Sequence, residues 1–472
     1  MKRYERLARD LAGLIESGVL RPGERLPSTR AIARAHRVSP ATATQACYLL
    51  EDRGLVQARP RSGFYVNAHW RPAQPGLETT KPPGSATTPD VSTLVFEVLG
   101  SIRKRDIVPL GSAFPAPTLF PMAKLAQSLG RSARRMDPWH TVEGMSPGSA
   151  ELRRQVAKRY AAHGVSVRPE EIVITAGALE ALNLCLEAVT RPGDVVAIES
   201  PAFYAALQTI ERLELRAVQL ATHPVEGIDL ASLAAALKRH RVAACWLMPT
   251  FQNPLGATMP VERKRELVRL LAKHEVPLVE DDVYAELHFG TDPLPPAKAF
   301  DASGLVMHCG SFSKSLAPGY RLGWCVPGRA FERVERLKLT TSIATSIPVQ
   351  EGIADFLKHG GYDHHLRGLR ARLREGQRNV LAAVATHFPA GTRVTRPEGG
   401  YFVWAEMPEQ VDAMALHRAA LEHGISVAPG PIFSARRRFG NCLRLNHGHP
   451  WEASLDQAVA TLGRLARALA RG

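Results

Sequence analysis

"GSFSKSLAPGYRLGW", residues 310–324, places one lysine among three serines, follows it with Pro318-Gly319, and brings in a second cation, Arg321, seven positions after Lys314. An isolated Ser/Lys stretch is most often a solvated basic loop. This one is preceded by "LVMHC" (305–309), a short apolar run of the kind that forms a buried strand, so Lys314 falls just beyond a strand end. The same arrangement recurs along the chain. "EIVITAGALEALNLCLEAV" (171–189) reads as a strand through Thr175, a turn at Gly177, and a helix whose first turn offers free backbone N–H groups to an anion. "DVVAIESPAFY" (194–204) ends in Pro201 and Phe203, "AACWLMPTFQNPLG" (243–256) in Asn253-Pro254, and "VPLVEDDVYAEL" (276–287) in Asp281, Asp282 and Tyr284. Strands alternating with helices predict an α/β fold with a mainly parallel sheet and helices on both faces, and such sheets bind ligands beyond the carboxyl ends of their strands. All these polar clusters then meet around one site.

That site would gather a lysine amine, a carboxylate, an amide, a phenol, an aromatic face, a helix N-terminus and a second cation. A flat, phosphorylated heteroaromatic aldehyde uses each of them. A lysine bonds the aldehyde, and a carboxylate keeps the pyridine nitrogen protonated so that the ring draws electrons. An aromatic side chain stacks on the ring, amide and phenol hold its oxygen, and hydroxyls, Arg321 and the helix N-terminus take the phosphate. The expected cofactor is pyridoxal 5'-phosphate.

From about residue 108 to the C-terminus these motifs resemble class I aminotransferases of fold type I. The resemblance implies a seven-stranded, mainly parallel sheet with a smaller C-terminal subdomain from about residue 345. It implies Lys314 as the lysine joined to the cofactor and Asp281 as the partner of the pyridine nitrogen. Tyr284 and Asn253 would hold the ring oxygen, Phe203 would stack, and Gly177, Ala178, Ser311, Ser313 and Arg321 would seat the phosphate. Arg444, in "LRLN", would clamp a substrate carboxylate bidentately. Ala178 and Leu179 stand where relatives often carry a hydroxyl residue and a glutamine, which leaves backbone N–H groups to serve. "TVEGMSPGSAELRR" (141–154) carries Val142 and Glu143 where many aminotransferases offer a tyrosine to the partner subunit.

The rest of the chain reads differently. Residues 69–92, "HWRPAQPGLETTKPPGSATTPDVS", hold five prolines and two glycines and read as an extended linker between a head (1–68) and the body (93–472). In the head, "YERLARDLAGLIESGVL" carries Leu7, Leu11, Leu14 and Ile15 at helical spacing, and "TRAIARAH" follows as a second short helix. Ser39-Pro40 then supplies an N-cap and first-turn proline for a third helix that closes at Gly54. "LVQARPRSGFYV" alternates as a hairpin around Ser62-Gly63. Three helices and a hairpin describe a winged helix-turn-helix, and its 12 Lys/Arg against 6 Asp/Glu over residues 1–70 suit a polyanion.

Residues 17–66 resemble the DNA-binding head of the GntR family along their whole length. That resemblance implies DNA contacts from Arg30, Ser39, Thr42, Thr44 and Gly63, while charge and position on the wing add Arg59 and Arg61 as phosphate contacts. Pro40 and Ala41 depart from the arginine and threonine often found there. Joined through the linker, head and body together resemble the MocR subfamily of transcriptional regulators.

The 472 residues are 45% apolar with a net charge of +15, enough for real cores and a basic surface. The cysteines at 47, 185, 245, 309, 325 and 442 have no close pairs and are read as reduced, buried filler. His364-His365 and His447-x-His449 lack a third ligand at supporting spacing, so no metal is expected and they are read as surface or supporting histidines. With no apolar run long enough to span a bilayer, the expectation is a cytoplasmic homodimer that binds double-stranded DNA and answers to an amino acid, another amine or the cofactor itself. A working transaminase with a secondary head is the alternative.

Overall fold

The computed structural model describes residues 2–16, 19–52, 54–59, 62–67, 76–101, 107–143, 145–290, 293–359 and 361–471. In the head, α1 (Arg3–Glu16), α2 (Thr29–Ala35) and α3 (Pro40–Asp52) precede an antiparallel hairpin of β1 (Val56–Arg59) and β2 (Gly63–Val66). Leu7, Leu11 and Ile15 of α1 are buried against Ala43, Ala46, Cys47 and Leu50 of α3, while Leu14 turns outward. Ser28 caps α2 by accepting the Ala31 N–H (3.2 Å), and Ser39 caps α3 by accepting that of Thr42 (3.2 Å).

The body opens with β3 (Val108–Pro109) and then builds the large sheet from β4 (Val173–Thr175), β5 (Val195–Ser200), β6 (Arg216–His223), β7 (Gly227–Ile228), β8 (Val242–Leu247), β9 (Leu278–Asp281), β10 (Val306–Ser311) and β11 (Gly323–Val326). Their order is β4-β11-β10-β9-β8-β5-β6-β7, with β11 and the two-residue β7 antiparallel to their neighbours. The seven longer strands are those the resemblance implies; β7 adds a short return at one edge. Every residue of β4, β5, β9 and β10 is buried, as strands covered by helices on both faces must be.

The smaller sheet combines β12 (Arg393–Val394), β13 (Phe402–Glu406), β15 (Ala428–Pro429) and β16 (Cys442–Asn446), while β14 (Ile425–Ser426) pairs in parallel with β3. Leu110 is buried in the core of this sheet with Val403, Leu443 and Leu445, so the start of the body returns to pack with its C-terminal part. All six cysteines are free and buried.

Residues 76–91 are extended, and hydrogen bonds fasten them to the body. The Thr80 hydroxyl donates to the Ser200 carbonyl (2.7 Å) and accepts the Thr222 N–H (2.9 Å), and Thr87 exchanges backbone hydrogen bonds with Ala217 (2.9 and 2.7 Å). Three consecutive arginines hold the same segment: Arg436 on the Ser85 hydroxyl (2.8 Å), Arg437 on the Asp90 carboxylate (3.2 Å) and Arg438 on the Lys81 carbonyl (2.8 Å). Among the described residues no helix is long and apolar enough to cross a membrane.

Candidate cofactor site and nucleic-acid interface

Lys314 follows β10 by three residues, and its turn is pinned from beneath. The Ser315 hydroxyl bonds the Tyr362 hydroxyl (2.7 Å), and the Ser315 carbonyl lies 2.7 Å from His365 Nε2. Ser315 therefore faces away from the site, and only two of the three serines around Lys314 serve it. The half-buried Lys314 Nζ donates to the Ala113 carbonyl (2.9 Å) and sits 3.9 Å from the centroid of the Phe114 ring. Burial first and the Arg444 charge second push its pKa down to about 7, with Asp281 opposing. Near neutral pH much of the amine is thus unprotonated and nucleophilic toward an aldehyde.

Asp281 ends β9 with 1% exposure, and among the described residues neither carboxylate oxygen has a hydrogen-bond partner. Burial, then the adjacent Asp282, pushes its pKa up to about 7. The Val283 N–H and the Trp246 indole pull it back without reaching hydrogen-bond geometry. An orphaned carboxylate costs stability unless a cationic donor arrives, and a protonated pyridine nitrogen is such a donor.

A chain of hydrogen bonds joins three further side chains. Asn253 Nδ2 donates to the Tyr284 hydroxyl (3.3 Å), and Arg444 Nη1 donates to Asn253 Oδ1 (3.1 Å). Burial pushes the Tyr284 phenol up, so it stays a donor at neutral pH. Arg444 is fully buried on β16, 4.1 Å from the Phe402 ring centroid and 5.2 Å from that of Phe433. Its Nη2 donates to the carbonyls of Gly111 (2.9 Å) and Ser112 (3.3 Å), and among the described residues its buried Nε has no hydrogen-bond partner. Phe203, half-buried at the start of the helix Tyr204–Arg212, packs on the cluster that contains Tyr284 and Met248.

The expected phosphate-seat residues also converge. Gly177 (φ 87°) precedes the helix Ala178–Val189, and a Cβ there would lie 2.5 Å from Arg321 Nη2. Arg321 itself is left-handed (φ 48°), a conformation that aims Nη1 at the Ser313 hydroxyl (3.3 Å) and Nη2 at the Ala176 carbonyl (3.2 Å). The Ser313 N–H reaches Ser311 Oγ (3.0 Å), and that hydroxyl donates to the Leu322 carbonyl (3.1 Å). Helix N–H groups, two hydroxyls and one guanidinium brought together suit a phosphate dianion.

Sequence reading missed the segment 111–114, whose carbonyls receive Arg444, Lys314, Tyr401 (its hydroxyl 2.9 Å from the Ala113 oxygen) and Asn446 (2.7 Å from the Phe114 oxygen). Backbone acceptors carry no residue-type signal. His447, read as a surface or supporting residue, is 1% exposed, and burial lowers its pKa to about 3. Among the described residues no three His, Cys, Asp or Glu side chains gather as a metal site.

In the head, Arg30, Arg34 and Arg37 line a groove with Val38 and Pro40 where α2 meets α3, and all three arginines are exposed. Ser39 and Thr42 share a hydrogen bond between hydroxyls (2.8 Å), and Thr44 is half-buried one position beyond Ala43 on α3. On the wing, Arg59 stacks on Tyr65 (4.2 Å), and Gly63 (φ 104°) occupies a left-handed position opposite Arg59. Arg61 lies outside the described residues.

Comparison with known proteins agrees with both halves. The family described as "Aminotransferase class I and II" matches residues 114–462, and "Bacterial regulatory proteins, gntR family" matches residues 3–66. The uncharacterised HTH-type transcriptional regulator YdcR of Escherichia coli is 44% identical over 467 residues, covering 98% of this chain and 99% of its own. The 2-aminoadipate transaminase of Thermus thermophilus is 32% identical, covering 80% of this chain and 94% of its own. The solved structure of LysN from the same organism, complexed with N-(5'-phosphopyridoxyl)-L-leucine, superposes with a TM-score of 0.72 at 32% identity over 79% of this chain and 97% of its own. The body has the pyridoxal phosphate fold, and its orphaned carboxylate, amine and anion seat fit that cofactor. With a gntR-type head joined to a class I aminotransferase body from end to end, the chain belongs to the MocR-type branch of the GntR-family regulators.

Proposed function

We propose that the chain is a dimeric, DNA-binding transcriptional regulator whose body holds pyridoxal 5'-phosphate at Lys314 and senses an amino compound, or the cofactor itself, there. Head (1–68), connector (69–92) and body (93–472) act in series, in the cytoplasm. The observation that carries this reading is the coexistence, in one chain, of a basic helix-turn-helix groove and a body in which a half-buried amine, an orphaned buried carboxylate, a glycine-led helix N-terminus and Arg321 come together. In this reading Lys314 bonds the aldehyde, Asp281 holds the pyridine proton, and Asn253 and Tyr284 hold the ring oxygen. Phe203 stacks on the ring, and Gly177, Ala178, Ser311, Ser313 and Arg321 seat the phosphate. The Nε–H of Arg444 meets an effector carboxylate, a single contact in place of the bidentate clamp that the resemblance implies, because Nη1 is held by Asn253 and Nη2 by the Gly111 and Ser112 carbonyls. Bound cofactor supplies an electron-withdrawing ring, and these side chains orient it. Arg30, Ser39, Thr42, Thr44 and Gly63 face DNA, with Arg59 and Arg61 on its phosphates. Two-fold pairing of the bodies matches paired half-sites.

The fastened segment 76–91 supports a route between the halves. Thr80 is bonded to Ser200, three residues before Phe203, and the arginines that hold Lys81, Ser85 and Asp90 lead directly into the strand of Arg444. A ligand that shifts either side chain pulls on the same connector.

The test is binding of the full chain to the DNA beside its own gene at fixed salt, with and without pyridoxal phosphate and candidate amines. A change in affinity of about 5–150-fold is expected, the usual range of coupling between sites. Identical affinity under all conditions would sink the regulator reading. In the same assay Arg30→Ala should cost about 1–3 kcal/mol.

A second reading, an active transaminase, is favoured by the retained Lys314, Asp281 and Arg444. Amino acids offered with 2-oxo acids should turn over far below the usual enzyme range of about 1–10³ s⁻¹. Rates inside that range would promote the enzyme.

A further inference from the structure

The turn that opens the phosphate seat is gripped by a buried ion pair with no part assigned so far. Ala176 links the end of β4 to Gly177 and the helix Ala178–Val189. Its N–H donates to Glu180 Oε2 (2.6 Å), and its carbonyl accepts Arg321 Nη2 (3.2 Å). The peptide groups on both sides of Ala176 are therefore fixed. Glu180 is fixed in turn from the helix Phe331–Ser342: Lys338 Nζ donates to Glu180 Oε2 (2.8 Å), and the Ser342 hydroxyl donates to Glu180 Oε1 (2.6 Å). Lys338 Nζ also donates to the hydroxyls of Ser342 (2.8 Å) and Thr345 (3.1 Å). The Lys338 side chain is 1% exposed and that of Glu180 16%.

Three acceptors around one nitrogen match the three N–H bonds of an ammonium, and both Glu180 oxygens are occupied. Burial opposes the charge on Glu180, but Lys338, Ser342 and the Ala176 N–H outweigh it and hold the carboxyl below its ordinary range. A buried ion pair commonly adds little net stability over apolar side chains of the same size. What this one adds is direction, and the seat needs it. Ala178 and Leu179 offer a phosphate no polar side-chain atom, so the grip falls to first-turn N–H groups, two serines and Arg321. The turn is also close-packed: a Cβ on Gly323 would lie 2.6 Å from the Gly177 carbonyl carbon and 2.7 Å from the Ala178 nitrogen. A rotation of either peptide at Ala176 therefore moves the guanidinium and the helix N–H groups together.

Resting on the cofactor assignment above, we infer that Glu180, steadied by Lys338, is a positioning residue for the phosphate of pyridoxal phosphate: it holds the Ala176 N–H, so that the Ala176 carbonyl keeps Arg321, and the turn keeps the first helical N–H groups, aimed at one anion. Neither side chain touches the cofactor in this role. Lys314, Asp281, Asn253 and Tyr284 serve the aldehyde and the ring, so loss of the pair costs phosphate recognition and spares the rest.

The test compares two aldehydes on the full-length protein, pyridoxal 5'-phosphate and pyridoxal, which differ only in the phosphate ester; the affinity for each is read by visible absorbance. In Glu180→Met the affinity for pyridoxal phosphate should fall about tenfold, while that for pyridoxal stays within about twofold of the parent. Glu180→Gln, which keeps an oxygen for the Ala176 N–H, should recover most of the loss, and Lys338→Met should show a loss confined to the phosphorylated aldehyde. Unchanged affinity for pyridoxal phosphate in Glu180→Met overturns the inference. So does an equal loss for both aldehydes, since that is the mark of packing alone. If neither methionine variant folds, Ser342→Ala, at the exposed end of its helix, decides: its preference for the phosphorylated aldehyde should fall about threefold, and a preference equal to the parent's overturns the inference. A parent protein that binds neither aldehyde would instead overturn the cofactor reading itself, and one that binds both equally would overturn the phosphate seat.

Discussion

Lys314→Ala should give a protein that folds and shows no visible absorbance band on addition of pyridoxal phosphate. The amine is half-buried, bonded to a carbonyl and set over the Phe114 ring, with a pKa lowered to about 7. Burial and the Arg444 charge thus keep a large neutral fraction at physiological pH, where an exposed lysine would be almost wholly protonated. A neutral amine adds to an aldehyde and releases water; the C=N bond that remains shifts the absorbance of the ring into the visible. Borohydride, which reduces that bond, should fix the cofactor to the parent chain and leave the mass of the variant unchanged. The variant deletes no packed core side chain, so its melting temperature should stay close to that of the cofactor-free parent. An equal visible band in Lys314→Ala would place the covalent bond on another amine. Noncovalent retention through Asp281 and the phosphate seat is compatible with the loss of colour, which is why absorbance and mass are the deciding readouts.

The strand-end clusters were legible because they depend on residue type at a position that the apolar run marks. Lys314, Asp281 and Asn253 each stand within a few residues of such an end, and the structure brings them to one edge of the sheet. Other parts depend on register and backbone, which single residues do not announce. His308 sits inside the apolar run "LVMHC" and reads as one polar interruption; only the pairing of β10 with β9 sets it beside Asp282. Ala113 serves through a carbonyl, a group every residue has. The segment 76–91 shows a linker's composition, yet its Thr80 hydroxyl and its backbone find partners on β6 and β5 that proline content could not foretell. In the head the turn chemistry was strong enough to give helix starts at Thr29 and Pro40 and the hairpin at Gly63, whereas the mutual hydrogen bond of Ser39 and Thr42 appears only in the folded helix cap.

Asp281→Asn should move stability and cofactor affinity in opposite directions. In an unfolded chain this carboxyl titrates near 3.9, while in the fold burial and Asp282 push it up to about 7. Between those values the folded state holds the extra proton, so cofactor-free protein loses stability as pH rises from about 4 to 7, by up to about 1.4 kcal/mol per unit. The penalty is fully present above pH 7 and absent below pH 4. Asparagine has a similar shape and no charge to bury. The cofactor-free variant should therefore be more stable than the parent by about 2–4 kcal/mol at pH 8, and the advantage should vanish near pH 4. Cofactor binding should suffer at the same pH, because a charge-assisted bond to the protonated ring nitrogen is replaced by a neutral one. A loss of about 2–3 kcal/mol corresponds to roughly 30–150-fold in affinity. Thermal unfolding of cofactor-free protein across pH, set beside cofactor titrations at pH 8, measures both. If the variant were no more stable at pH 8 and bound the cofactor as tightly, Asp281 would be an ordinary strand-end carboxylate. The expected opposition in sign is what a site that carries strain for its ligand must show, since the ligand alone relieves it.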